Sequence, residues 1–471
     1  MRATFHLKTL SVAVAALSVA SLASAAGLDR SGQDITAFLQ DGTYAETVYT
    51  YINADVTGYD NQNVATNDQG YVQGNKTGDV AETYDFFRYG VKADINDTFS
   101  VGVLYDEPFG AAAAYNGESN FVTNTDADAL IQGITQNPNL NQGNIDQSIQ
   151  GLQTQIGSGQ LTGLALQQAQ GQLIGLQAAK GVADTAGQGT NAEVRSQSLT
   201  GILGMKFGAN KNFQIYGGPV AQRIQSETKL RGLAYGPATG YTSNSNPDMD
   251  YGYIAGIAYS KPEIALKAAL TYRSEIDHNM TIFESFPLAT AAGAQAGKLI
   301  PSSRGDKMEI TTPESVNFDF QTGINPTTLA TAKVRWVPWG DFAIVPPLYN
   351  EVSKIATNDD KGLPLVSYDK DQWQVELGLA KRLSQALAVS GTVGWDSGAG
   401  DPTSSLGPVE GYYSAGLGAK YNVTENWAVS AGGKYLWFGD AKGELPNKSI
   451  VGNFEDNDGY IVGVKLSYQG D

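Results

Sequence analysis

The chain of 471 residues has no cysteine and only two histidines, His6 and His278. Without thiols it can form no disulfide, so its stability must come from packing and hydrogen bonding. One isolated histidine in the mature chain cannot build a multi-ligand zinc centre or a catalytic triad, and neither a cofactor nor a metal nor an enzymatic activity is expected. Long apolar runs are also missing. Outside residues 10–22 nothing approaches the ~20 residues of a spanning helix, and a mean hydropathy of −0.24 is too wet for a helical membrane bundle. Any membrane role must therefore come from strands or a surface anchor. Positive charge is scarce as well: Lys and Arg number 31 against 48 Asp and Glu, a net charge of −17, which excludes the basic face that nucleic acid demands. No fixed-period repeat appears, and this removes propellers and solenoids.

What is present begins with a leader. Arg2 and Lys8 precede an apolar stretch from Leu10 to Leu22 and the small residues Ala23-Ser24-Ala25. That order predicts a secretory signal peptide over 1–25, cleaved before Ala26.

From residue 44 onward the period is two. The stretch "GYYSAGLGAKYNVTENWAVSAGGKYLWFG" at 411–439 sets Tyr413, Ala415, Leu417 and Tyr421 against Ser414, Gly416 and Lys420. Its second half sets Trp427, Val429, Tyr435 and Trp437 against Ser430, Gly432 and Lys434. About fourteen such segments are predicted, at 44–56, 81–95, 98–108, 192–207, 212–228, 249–260, 264–283, 307–323, 328–345, 367–382, 386–396, 409–421, 426–438 and 456–468. Short and long connections alternate between them, as the periplasmic turns and outer loops of an outer-membrane barrel do. Were the aromatic face turned to a dry core, the other face should be rich in charge; instead it is mostly Ser, Gly and Ala with an occasional base. The predicted fold is all-β, a transmembrane antiparallel barrel over 44–471 with lipid outside and a polar lumen, its aromatics forming interfacial girdles. A single barrel of this kind is expected to be monomeric, sited in the outer membrane, and in contact with outer-membrane lipid and lipopolysaccharide.

Two segments stand apart. Residues 26–43, "AGLDRSGQDITAFLQDGT", are too short for a domain and predict one short helix, capped by Ser31 or Asp34. It either hangs in the periplasm or folds back into the lumen as a plug, the second being favoured because it hides Phe38 and Leu39. The gap at 109–191 holds an insert over about 126–184. There Ile145, Ile149, Leu152 and Ile156, then Leu166, Ala169, Leu173 and Leu176 after Gly157-Ser158-Gly159, predict two amphipathic helices in a hairpin. Their stripes either bury each other or leave a landing groove for a hydrophobic ligand. Inward bases, namely Arg88, Arg223, Lys267, Arg273, Lys333 and Arg335, are candidate partners for a ligand carboxylate, or else brace the barrel against acids such as Glu376 and Asp106. "YGGPV" at 216–220 carries Gly217, Gly218 and Pro219, either a kink that opens the wall or a device for curvature. The acidic run "NFEDNDG" at 453–459 lacks the bidentate Glu of a calcium loop and is taken as a solvated loop.

With these residues in view, "LTYRSEIDHNMTI" at 270–282 and "ITTPESVNFDFQTGINPTTLATAKVRWVPWGDF" at 310–342 resemble adjacent strands of the FadL/TodX family. That family comprises outer-membrane transporters of long-chain fatty acids and other hydrophobic compounds. "VGVLYDEPFG" at 101–110, leading into a helical insert, is similar too. The resemblance implies a barrel of fourteen strands, a luminal N-terminal hatch, capture of a hydrophobic small molecule by outer loops, and its release sideways into the membrane. The chain departs from the family's pattern in lacking an Asn-Pro-Ala stretch in the hatch, and in ending "LSYQGD" with its closing aromatic at Tyr468. The rival functions are a water-filled diffusion porin for small polar solutes and adhesion by the long loops.

Overall fold

The computed structural model describes residues 28–63 and 70–470. The leader, its cleavage point and His6 lie outside them. Among the described residues the fourteen expected segments each contribute one barrel strand: β1 Thr43–Asp55, β2 Tyr84–Asp94, β3 Phe99–Asp106, β4 Asn191–Phe207, β5 Phe213–Lys229, β6 Asp248–Lys261, β7 Leu266–Arg273, β8 Ser315–Asn325, β9 Thr328–Val337, β10 Gln372–Arg382, β11 Leu387–Asp396, β12 Glu410–Asn422, β13 Trp427–Gly439 and β14 Asp458–Gly470. Each pairs antiparallel with the next, and β14 returns to β1 from Thr43↔Gly470 to Asp55↔Asp458. The sheet thus closes and leaves no edge, the condition for strands to cross a bilayer with every backbone group bonded.

The faces sort as the alternation requires. Tyr413 is 66% exposed and Leu417 76%, whereas Ser430 is fully buried and Lys434 is 4% exposed. Exterior aromatics gather towards the strand ends in contacting sets. Tyr49, Phe87, Tyr89 and Tyr105 form one towards the long-loop end, and Phe207, Phe213 and Tyr259 form another at the short-turn end.

Three predicted spans need correction. Residues 264–283 and 307–323 are not single strands. The first breaks after Arg273 and resumes as Ile276–Ser285; the second runs Ser303–Thr312 before β8. Odd residues such as Thr271, Arg273 and Ser315 are buried below these breaks, and even residues such as Ile276, His278, Met308 and Ile310 above them. Ser274-Glu275 and Pro313-Glu314 stand opposite each other, so the two strands exchange faces together and stay paired. The span 328–345 stops at Val337, because Pro338 offers no donor to continue a ladder.

Above the barrel the long loops pack into a dome whose apolar core includes Tyr115, Phe121, Tyr241, Phe286, Leu348 and Phe454. The insert contains three helices rather than two: α1 Ala127–Thr135, α2 Ile145–Gly157 and α3 Gly163–Ala183. The extra helix is capped by Asp126, which accepts from Ala129 N. Ile145, Ile149 and Leu176 are buried in one cluster, with Leu152 and Leu173 packed against it. Ile156 and Leu166 are half-buried.

Placing Arg at Leu417, mid-strand on the exterior, should lower folding stability in phospholipid vesicles by about 2–4 kcal/mol, read from urea titration of tryptophan fluorescence. The same change at Gly407 in an outer loop should cost under about 1 kcal/mol.

Candidate functional site

The site is built around residues 28–42, which run down the inside of the barrel. No helix forms here. Gly32 and Gln33 take positive φ, Thr36 N donates to Asp34 Oδ1 at 2.7 Å, and Phe38 N donates to Ile35 O, giving successive turns. Turns suffice because the wall supplies the partners that a helix would supply itself. Ile35 and Phe38 are fully buried against Leu104, Ile202, Tyr216 and Ile254. The wall is hollowed to receive them: a Cβ on Gly102 or Gly204 would fall within 2.8 Å of the Phe38 ring, and one on Gly90 would lie 2.7 Å from Ala37.

The predicted inward bases meet this segment. Lys333 reaches Asp34 at 3.1 Å, Arg88 reaches the same carboxylate at 3.6 Å, and Arg335 grips Asp29 through Nε at 2.5 Å and Nη2 at 3.2 Å. Lys267 donates to the Leu39 carbonyl. Three of the six are therefore engaged by carboxylates of the chain itself, while Lys434 and Glu376 pair nearby. Arg273 differs. It is buried and inward, donates from Nη1 to Thr200 Oγ1 at 3.1 Å, its Nε has no hydrogen-bond partner among the described residues, and its strongest influence of opposite charge is the buried Asp106 carboxylate, with which it forms no close ion pair. Arg223 is a correction: it is exposed on the outer face, because Val220, Gln222 and Ile224 take the luminal side of β5. Gly217–Pro219 keep their register with β6, but towards β4 the rungs stop at Thr200↔Val220 and resume at Leu203↔Gly217, so Gly218 and Pro219 have no rung on that side. The wall there loses two rungs while the backbones stay in close contact, Gly218 against the Gly201 carbonyl.

It is open elsewhere. β2 and β3 pair up to Tyr89↔Tyr105, and pairing resumes only at Ala81↔Ala113. Between these rungs Glu107, Pro108 and Phe109 interrupt the strand before Gly110–Ala114 continues along β4. The N-terminal segment covers this gap from inside. Arg30 N donates to Pro108 O at 2.8 Å and Gly110 N to Leu28 O at 2.7 Å. The Arg30 guanidinium lies 2.9 Å from the centre of the Tyr84 ring, directly over Gly110, and its Nη1 has no hydrogen-bond partner among the described residues. Burial outweighs the nearby Tyr84 and Glu107 and pushes its pKa down to about 10, so it stays charged at neutral pH.

Two cavities lie beside this gap. One, of about 50 Å³, lies between the segment and the dome, lined by Leu28, Val194, Ile282, Met308, Ile344 and Leu365. The other, of about 130 Å³, is lined by Arg30, Ile52, Val80, Tyr84 and Phe438. Ala111, Leu406 and Gly407 line both. Sequence reasoning missed Asp29, Arg30 and Asp34. The signal was there, three acids and a base in an eighteen-residue segment expected to enter a lumen rich in bases.

No protein-family model and no curated protein matches the sequence. Solved structures do match. A FadL homologue of Pseudomonas aeruginosa superimposes with a TM-score of 0.61 at 13% identity, over 95% of this chain and 96% of that one. The Pseudomonas putida toluene transporter TodX gives 0.52 at 9% identity, over 96% of each chain. At such identities the likeness is one of fold: this chain shares the overall fold of those two proteins.

Replacing Asp34 by Ala leaves Arg88 and Lys333 without their shared carboxylate. Loss of one partner from a buried pair costs about 3–5 kcal/mol, so the segment should loosen, and a cysteine introduced at Thr36 should react with a water-soluble maleimide at least about tenfold faster than in the Asp34 background.

Proposed function

We propose that this protein takes up hydrophobic small molecules, long-chain fatty acids or related compounds, across the outer membrane. The observation that carries this reading is the pair of neighbouring, largely apolar cavities, one in the lumen and one at a break in the wall, in a barrel whose bore is occupied by residues 28–42. An apolar molecule gains by leaving water for such a cavity, and a wall break leads it to lipid without returning it to water. Residues 28–42 act as the plug. The outer loops and the helical insert act in capture, and release is sideways past Pro108 once Arg30 leaves Tyr84. For a ligand with a carboxylate head, Arg273 is the base best suited to receive it, since Arg88, Lys333 and Arg335 are held by the plug's acids. That the structural neighbours include a toluene transporter supports the same class of cargo. The protein works as a monomer in outer-membrane lipid after removal of its leader.

The open-porin alternative requires a continuous wet bore, and the seating of Phe38 and the Asp34 ion pairs argues against one. In planar bilayers the protein should show little steady conductance. A large conductance indifferent to added oleate would defeat the transport reading. Ala192→Trp, which places an indole in the luminal cavity, should cut uptake of radiolabelled oleate by cells at least about tenfold while barrel assembly, judged by heat-modifiable gel mobility, is unchanged.

A further inference from the structure

The wall is broken a second time. β6 and β7 pair from Lys261↔Leu266 up to Ile254↔Arg273, and above them the strand Thr242–Ser245 pairs with Ile276–Ser285, ending at Ser245↔Ile282. The register is the same at both ends, so neither side gains a residue. Two backbone bonds close the ends of the interval, Ser274 N to Tyr253 O at 3.0 Å and Asn246 N to Thr281 O at 2.8 Å. Between them Pro247–Gly252 and Glu275–Met280 form no ladder rung among the described residues.

The cause is a clash of pleats. In β6 the even residue Ile254 is buried and the odd residues Met249, Tyr251 and Tyr253 are exposed. Above the Ser274-Glu275 break the even residues Ile276, His278 and Met280 are also buried. The register sets even residues opposite odd ones, so rung partners here would point to opposite faces. Strands in that relation cannot form the ladder, and they run side by side without rungs until Asn246-Pro247 reverses the phase of the first strand.

Only side chains close the slit. Ile276 projects over Gly252, where a Cβ would lie 2.7 Å from its Cγ1. Its inner neighbours are Phe38, Tyr216 and Ile254, and the next inward apolar residue, Met280, belongs to the cluster around Leu28 and Met308 at the luminal cavity. His278 spans the opening, with Nε2 3.1 Å from Gln222 Oε1 and Nδ1 3.4 Å from Asp248 Oδ2. Arg273 stands at the foot. On the outside, the apolar edge of Met249, Tyr251 and Tyr253 faces the outer girdle, while Asp277 and Asn279 face the more polar level above it.

We infer that the slit between Pro247–Gly252 and Glu275–Met280 is a second lateral portal, by which a hydrophobic or carboxylate-headed amphiphilic molecule passes between the lumen and the outer leaflet, with Ile276 as its gate. This rests on the uptake reading above but names a path separate from the Pro108 break.

The absence of native cysteine makes the test clean. In proteoliposomes, a cysteine at Ile276 should react with pyrene-maleimide delivered through the lipid at least about tenfold faster than one at Ala269, a buried inward position beneath intact ladder. Equal rates overturn the portal. Uptake of pyrene-dodecanoate is then measured with the slit bridged by a short bismaleimide in Y251C/D277C, with the Pro108 gap bridged in T83C/A111C, and with both. Each bridge should lower uptake by roughly half and the two together should abolish it, as parallel paths require. A bridge at 251 and 277 that changes nothing in either background overturns the proposal. Should the unbridged protein take up no probe, the transport reading falls, and the thiol rates still decide the portal.

Discussion

Neighbouring strands hydrogen-bond only where their pleats are in phase, and in this barrel that rule decides both where the wall is sealed and where it is not. Over most of its circumference the small inward residues and the exposed aromatics keep step from strand to strand, and closure follows. At Glu107–Phe109 and again at Ser274-Glu275 the step is lost. The wall there is held by side chains and, at the first site, by the N-terminal segment, both of which move more cheaply than a ladder does.

The lumen shows the complementary logic. Luminal arginines and lysines would each be costly to bury alone, and most meet a carboxylate: Arg335 with Asp29, Arg88 and Lys333 with Asp34, Lys434 with Glu376. Two of these three acids come from the N-terminal segment, so that segment is a counter-ion set as much as a stopper. What the wall lacks in neutralisation the segment supplies, and the glycines at 90, 102 and 204 give it a seat of matching shape.

Much of this was legible beforehand. Period-two alternation is a local property, and it located every barrel strand because lipid on one side and polar groups on the other enforce it residue by residue. The breaks were harder to read. Pro313 lies inside a predicted strand, Pro108 at the end of another, and Pro219 inside a third, where it keeps its rungs with β6 and loses them with β4. A proline marks a missing donor, but whether the neighbouring strand shifts with it is a property of two distant segments. Asp34 was read as a helix cap, and its partners Arg88 and Lys333 are remote in sequence, so only the closed barrel brings them together. Helix α1, "ADALIQGIT", is short and lies beside a more regular stripe, and its burial comes from packing on α3.

The strand that follows the N-terminal segment is also the one that meets β14, so the seam of the barrel joins the first strand to the last. Residues 28–42 end up enclosed by walls completed only when the final residues pair. Seating of the segment and closure of the seam are therefore coupled, since the walls that hold Asp34 and Phe38 stand in their final places only when the last strand has joined the first.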